Sequence, residues 1–284
     1  MIRRFKRSVS DFITYLQLPE TIKKEYRKDR SGVPDEDPGC TTALEESITW
    51  ICRAQDNSSS QDGGIARHFS VITGWSASYP ETTGYIIPTL VAYSKFIDNR
   101  EQRDLVLKRV QRMLDWLVSI QFPDGSFYGG VAGNKKANLS VTFNTGQILL
   151  GLASGVSEFG DIYRVPMRQA ADWLTANQDP DGCWRKFPSP FVTPGEKVYD
   201  THVAWGLFEA ARIEPARNYD AAALANIRWA LSFQKDNGWF DKCCLVDPSK
   251  PLTHTLGYTL RGILEAYRYT EKSDLLQASI KTAD

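Results

Sequence analysis

The feature that most constrains this chain is a motif that occurs four times. A tryptophan is followed five residues later by a glutamine: Trp50 and Gln55, Trp116 and Gln121, Trp173 and Gln178, Trp229 and Gln234. In the last three copies a glycine follows the Gln at four residues and an aromatic at six, giving Gln121/Gly125/Phe127, Gln178/Gly182/Trp184 and Gln234/Gly238/Phe240. Self-similarity of this kind means that one supersecondary unit is stacked on copies of itself. The tryptophans are 66, 57 and 56 residues apart. That is enough chain for two helices and their connections, so the unit reads as a helical hairpin.

The second copy shows how the unit is built. Val110, Met113, Leu114, Leu117, Val118 and Ile120 recur at helical spacing through "VQRMLDWLVSIQ". Pro123-Asp124-Gly125 then ends the helix, because Pro lacks a donor and Gly accepts left-handed dihedrals. After a polar loop a second apolar segment begins at "NTGQILLGLASGV", where Asn144 or Thr145 is placed to accept free backbone N–H groups of the first turn. The same order recurs in "MRQAADWLTANQDPDGCW" followed by "DTHVAWGLFEAARI", and in "NIRWALSFQKDNGWF" followed by "HTLGYTLRGILEAY". The Trp/Gln helices alternate apolar and charged residues, as an outer layer does. The second helices are apolar nearly all round and rich in small residues (Gly146, Gly151, Gly206, Gly257, Gly262), which predicts burial on both sides.

An inner ring of helices surrounded by outer ones satisfies both patterns. The expected fold is an all-α α/α toroid of four complete hairpins plus partial extra copies, closed or open. Residues 45–284 form this domain, and a fifth outer helix falls at "KSDLLQASIKTAD". Residues 1–44 read as a basic helical segment packing on the body. Positions 1–30 hold nine Lys/Arg against four acids, with Phe5, Val9, Phe12, Ile13 and Leu16 in helical register. The competing reading of that stripe is docking to a membrane surface or a partner.

Lys plus Arg and Asp plus Glu both number 34, so the basic surplus of a nucleic-acid binder is missing. No stretch is apolar for long enough to span a bilayer, and no signal-peptide segment follows the basic start; the expected location is cytoplasmic. Five cysteines, an odd number without framework spacing, read as reduced thiols.

The Gln-x3-Gly-x-aromatic turns with an upstream Trp resemble the repeats of the α/α-toroid superfamily that contains squalene and hopene cyclases and protein prenyltransferase β subunits. The resemblance covers residues 45–270. "SYPETTGYIIPTL" at 78–90 is similar to toroid proteins associated with bacterial polysaccharide biosynthesis. A fold shared by many chemistries leaves function to the site.

In such a ring the starts of the inner helices converge on one mouth. Tyr79, Glu81 and Tyr85 come from the first copy, Asn144 from the second, Tyr199, Asp200 and His202 from the third, and His254 and Tyr258 from the fourth. Preceding loops add Arg67, His68, Trp75, Trp184 and Trp239. Flat rings stack on pyranose faces and polar side chains bind hydroxyls, so the mouth reads as a site for an oligosaccharide or polysaccharide. Glu81, Asp200, His254 and Tyr79 are the candidate catalytic residues. Tyr85, Trp75, Arg67, Asn144, His202, Tyr199, Trp184 and Trp239 are the candidate substrate-binding ones.

Glu81 and Asp200 form the leading acid/base pair of a hydrolase. On a uronic-acid polymer, Tyr79, Tyr85 or His254 would instead abstract the C5 proton while Asn144 and Arg67 neutralise the sugar carboxylate, as in a lyase or epimerase. Each residue also has a structural explanation, Asp200 and Asn144 as helix caps above all. No cofactor is expected. The prenyltransferase resemblance implies an alternative zinc set of Asp200, His202 and His254, with His202 where that family has Cys and Cys243 as a fourth ligand. An isoprenoid enzyme is therefore the second functional reading, although the Asp-x-Asp-Asp run of hopene-type cyclases is missing. The third is a non-catalytic glycan-binding or scaffold protein, within a polysaccharide-assembly complex or peripheral to a membrane.

Overall fold

The computed structural model describes residues 13–32, 36–131, 139–247 and 252–284. Its helices are α1 (Glu20–Ser31), α2 (Gly39–Asp56), α3 (Pro80–Ser94), α4 (Arg100–Ile120), α5 (Thr142–Phe159), α6 (Arg164–Ala176), α7 (Thr201–Ile213), α8 (Tyr219–Leu231), α9 (Thr253–Thr270) and α10 (Ser273–Ala283). The strands described are β1 (Phe69–Ser70) and β2 (Gly74–Trp75), a small hairpin between α2 and α3. Outer helices α2, α4, α6, α8 and α10 alternate with inner helices α3, α5, α7 and α9, which is the expected toroid.

The inner helices form an arc. α3 packs on α5, α5 on α7 and α7 on α9, and no comparable packing joins α9 back to α3. Among the described residues the ring is open along that seam. Small residues set the inner spacing: a Cβ added at Gly206 would stand 2.6 Å from the Gly146 carbonyl oxygen, and one at Gly262 would stand 2.2 Å from that of Thr201. α5, with inner neighbours on both sides, buries 13 residues, Thr142 to Val156 among them. Apolar burial of this extent is the main stabilising term of the body.

The repeated glutamines bind each hairpin to the next. Gln121 Nε2 donates to Gly125 O in its own turn (2.9 Å) and to Pro166 O of the following outer helix (3.0 Å). Gln178 repeats this with Gly182 O (3.1 Å) and Ala222 O (2.9 Å). Gln55 reaches Gly63 O and Arg109 O in the same way, so Gly63 is the turn glycine of the first copy, displaced by a longer loop that hid it in the sequence. The tryptophans face the turn of the preceding copy: Trp173 Nε1 donates to Asp124 Oδ2 (3.1 Å), and Trp116 lies against Gly64. Trp50 has no earlier turn among the described residues. It is 50% exposed and meets Phe69 and Trp75 instead.

Gly182 has φ +94°, and a Cβ there would stand 2.4 Å from the Ala225 carbonyl of α8. Gly182→Ala is expected to cost about 1–2 kcal/mol of left-handed strain and about 1–3 kcal/mol more for displacing the neighbouring helix. Urea unfolding checks it against Gly160→Ala, where φ is +80° and the space is open. The control should show only the strain.

α1 buries no residue, and Ile13 and Leu16 are about half exposed. Phe5, Val9 and Phe12 lie outside the described residues. The division drawn at 44/45 falls inside α2. No helix among the described residues is long and apolar enough to cross a membrane.

Candidate active site

The N-terminal ends of the inner helices meet at a cavity of about 360 Å³. α3 begins with Tyr79 as N-cap and Pro80 at N1, which leaves Glu81 in the first turn. A short 3-10 turn at Val198–Asp200 leads into α7 and brings Asp200 to its N-cap. Both carboxyl groups line the cavity with Arg67, Tyr79, Trp184, Tyr199 and His254. Tyr199 feels the charge of Asp200 and, more weakly, that of Glu81.

The electrostatics set these two acids apart. Burial pushes Glu81 up to about 7, opposed in part by a hydrogen bond from Tyr79 and the charge of Arg67. Burial pushes Asp200 up to about 8, opposed by Lys197. Neither forms a salt bridge with a described residue. The Asp200 carboxylate makes no capping hydrogen bond although its backbone is at the N-cap. Asn144 does not cap either: α5 starts at Thr142 with Val141 as N-cap, and Thr145 Oγ1 donates back to Val141 O. Burial and the nearby Glu81 charge raise the Tyr79 phenol to about 12.

A second cavity of about 540 Å³ lies at the opposite end of the inner helices. Two of its three acids are differently placed, while Glu158 forms no salt bridge with a described residue. Glu265 is paired with Arg261 (2.6 Å) and Arg268 (3.0 Å), and Glu209 with Arg212 (3.7 Å). Paired carboxylates have their charge compensated. In the mouth neither Glu81 nor Asp200 is held in such an ion pair with a described residue.

Five expected site residues lie outside the mouth cavity. Tyr85 is one turn deeper than Glu81 on α3, and lines a separate groove with Leu44, Tyr93 and Trp205. Trp75 packs on Trp50 and Phe69 at the outer edge of β2. Trp239 stays in the turn after α8, where its backbone N–H donates to Asn237 Oδ1. His202 is buried beneath the floor, Nδ1 2.7 Å from Gln147 Oε1, and burial lowers it to about 4, so the ring is neutral. Asn144 is also buried. Its amide stands beside the Tyr79 oxygen and lowers that phenol's pKa, yet Nδ2 makes no hydrogen bond of proper geometry. Phe143, Tyr199 and Tyr258 form the floor above His202.

No group of three His, Cys, Asp or Glu side chains among the described residues converges as metal ligands. Asp200, His202 and His254 do not form such a group among the described residues. His254 is exposed at the rim, edge-on to Tyr258, while His202 is committed to Gln147. All five cysteines are free thiols.

Sequence reasoning missed one wall of the site. Phe187, Pro188, Ser189, Phe191, Val192, Gly195 and Lys197 all line the cavity. They belong to the connection between α6 and α7, whose signal was the aromatic-proline run "FPSPF". Lys197 is buried, and its Nζ donates to Leu245 O (3.2 Å) and Thr193 Oγ1 (3.3 Å).

No family model matches the chain. Solved structures do match it. An unsaturated glucuronyl hydrolase specific for heparin superposes with a TM-score of 0.64 at 14% identity, over 85% of this chain and 65% of that one. A family 76 α-mannanase from Bacteroides thetaiotaomicron gives 0.66 at 12% identity, over 85% and 66%. A family 88 glycosyl hydrolase from Bacteroides vulgatus gives 0.51 at 16%, over 67% and 62%. The chain spans less than two thirds of the length of each. The likeness establishes the fold as the α/α toroid found in these carbohydrate-acting proteins. It does not show kinship with the terpenoid cyclases named by the sequence resemblance.

Proposed function

We propose that this protein is a carbohydrate-active enzyme that cleaves a glycan at the mouth of the toroid, with Glu81 and Asp200 as its acid/base pair. The observation that carries the reading is the meeting of two unpaired carboxyl groups, raised to about 7 and about 8, in one aromatic-walled cavity. Groups with pKa values near neutrality are matched to proton transfer at that pH. Asp200, the higher of the two, stays protonated and donates to the glycosidic oxygen. Glu81, eased toward ionisation by Tyr79 and Arg67, takes the proton of water or attacks the anomeric carbon.

Trp184 and Tyr199 offer ring faces to the sugar, and Arg67 offers hydrogen bonds. His254 at the rim contacts the incoming glycan. The toroid neighbours, an unsaturated glucuronyl hydrolase and an α-mannanase among them, support this chemistry over the isoprenoid reading. Free thiols fit a reducing, cytoplasmic setting.

Hydrolysis is favoured over β-elimination within this reading. A lyase needs a base for the C5 proton; of the three candidates, Tyr79 and Tyr85 are driven above the ordinary phenol value and Tyr85 lines a separate groove, while His254 stands at the exposed rim. The test is incubation with heparin, α-mannan and other acidic and neutral oligosaccharides, followed by mass analysis. Products that gain the mass of water are expected. Products that retain the summed mass of the substrate would make it a lyase, and no cleavage of any glycan would remove the enzymatic reading.

A further inference from the structure

The connection between α6 and α7 does more than complete a wall. At its start, Phe187 O accepts from Thr142 N (3.0 Å), which ties it to the second hairpin. Further along, Thr193 N donates to Leu245 O (3.1 Å), and Lys197 Nζ donates to the same carbonyl, which ties it to the fourth. At its base Arg185 pairs with Glu196 (2.7 Å), and Lys242 also pairs with Glu196. These are contacts between neighbours, because the third hairpin sits between the second and fourth in the arc.

One contact is of another kind. The Arg67 guanidinium lies over the Phe191 ring (5.0 Å to its centroid) and over the Tyr79 ring (5.2 Å). Arg67 and Tyr79 belong to the first hairpin, which does not adjoin the third in the arc. The Phe191–Arg67–Tyr79 stack therefore joins the third hairpin directly to the first, past the second, where Pro190 lies against Gly129. Stacking on two ring faces gives each end of this clasp a cation–π attraction.

We propose that the 187–197 strap, clasped through Phe191 to Arg67, makes the mouth a blind pocket that accepts the end of a glycan chain and excludes its interior, with Phe191 as a specificity-determining residue. The inference rests on the glycan-cleaving reading above. A polymer cleaved internally must lie across the site and leave on both sides. Here the aromatic cluster of Phe143, Tyr199 and Tyr258 closes the bottom, and the strap crosses above. The volume of about 360 Å³ is near the low end for ligand pockets, room for roughly one or two sugar rings. A chain end fits that space without passing beneath the strap.

The test uses heparin- and α-mannan-derived oligosaccharides of graded length, labelled at the reducing end, with products sized over the time course. The unmodified protein should shorten each chain from one end only. Phe191→Ala removes the ring that meets Arg67 at a half-exposed position, so internal cuts should rise by about tenfold or more relative to terminal ones. Phe191→Tyr keeps the ring and should restore the terminal pattern. Internal products from the unmodified protein would overturn the inference and leave glycan cleavage standing. An unchanged product pattern in Phe191→Ala would overturn it too. Failure to cleave any glycan would remove the functional reading, and this inference with it.

Discussion

Glu81→Gln is expected to lower turnover by about 10²–10⁴-fold. Gln keeps the shape and can still accept from Tyr79, so substrate affinity should change little and the loss should fall on kcat. The pH profile separates this from a structural effect. With Glu81 at about 7 and Asp200 at about 8, the productive form has the first ionised and the second protonated. The rate should rise through the lower value and fall through the upper one. Glu81→Gln should abolish the acidic limb in whatever activity remains and leave the alkaline limb in place. An undiminished rate would return Glu81 to the role of a first-turn helix residue, whose loss costs at most about 1 kcal/mol of stability.

Asp200→Asn should produce an activity loss of similar size and an opposite change in stability. The folded-state pKa of Asp200 lies above its unfolded value, so between pH 4 and 8, roughly, the folded state holds the extra proton. The penalty for burying this carboxyl is therefore absent below the unfolded pKa, grows as pH rises, and is complete at about 8. Asn has no charge to bury and makes up no lost cap, because the Asp200 side chain does not cap α7. At neutral pH the variant should be more stable, on the order of 2–4 kcal/mol. That gain should vanish near pH 4. Urea titrations of both proteins at acid and neutral pH measure it, and a variant less stable at pH 7 would show that Asp200 holds the fold together. Loss of function with gain of stability is the mark of a group kept for chemistry.

These two acids also show how far the sequence reaches. Both were legible as candidates, since an inner-helix start in a toroid must point at the mouth. Periodicity fixed the helices, and the Gln-x3-Gly-x-aromatic turns fixed the hairpins, because both arise from contacts within some ten residues of chain or between adjacent copies. The spacing showed that the glutamines recur; their bonds to their own turn and to the next outer helix were visible only in three dimensions. Depth was not legible. Tyr85 and Glu81 share one face of α3 at i and i+4, and only the height of the aromatic floor puts one below the cavity and the other inside it. His202 and Asp200 are two residues apart, yet one turns down to Gln147 while the other stays in the mouth.

The sequence by itself determined the repeat and the layers of the toroid, because those follow from local spacing and from which face of a helix is apolar; it named candidates at the inner-helix starts without deciding which of them reach the cavity. Tertiary structure alone decided that the arc stays open between α3 and α9. It also decided that Phe191 crosses to Arg67, and that burial rather than a charged neighbour raises Glu81 and Asp200. Each of these depends on distances between segments far apart in the chain. Their free energies come from desolvation and stacking, which no pattern along the chain encodes.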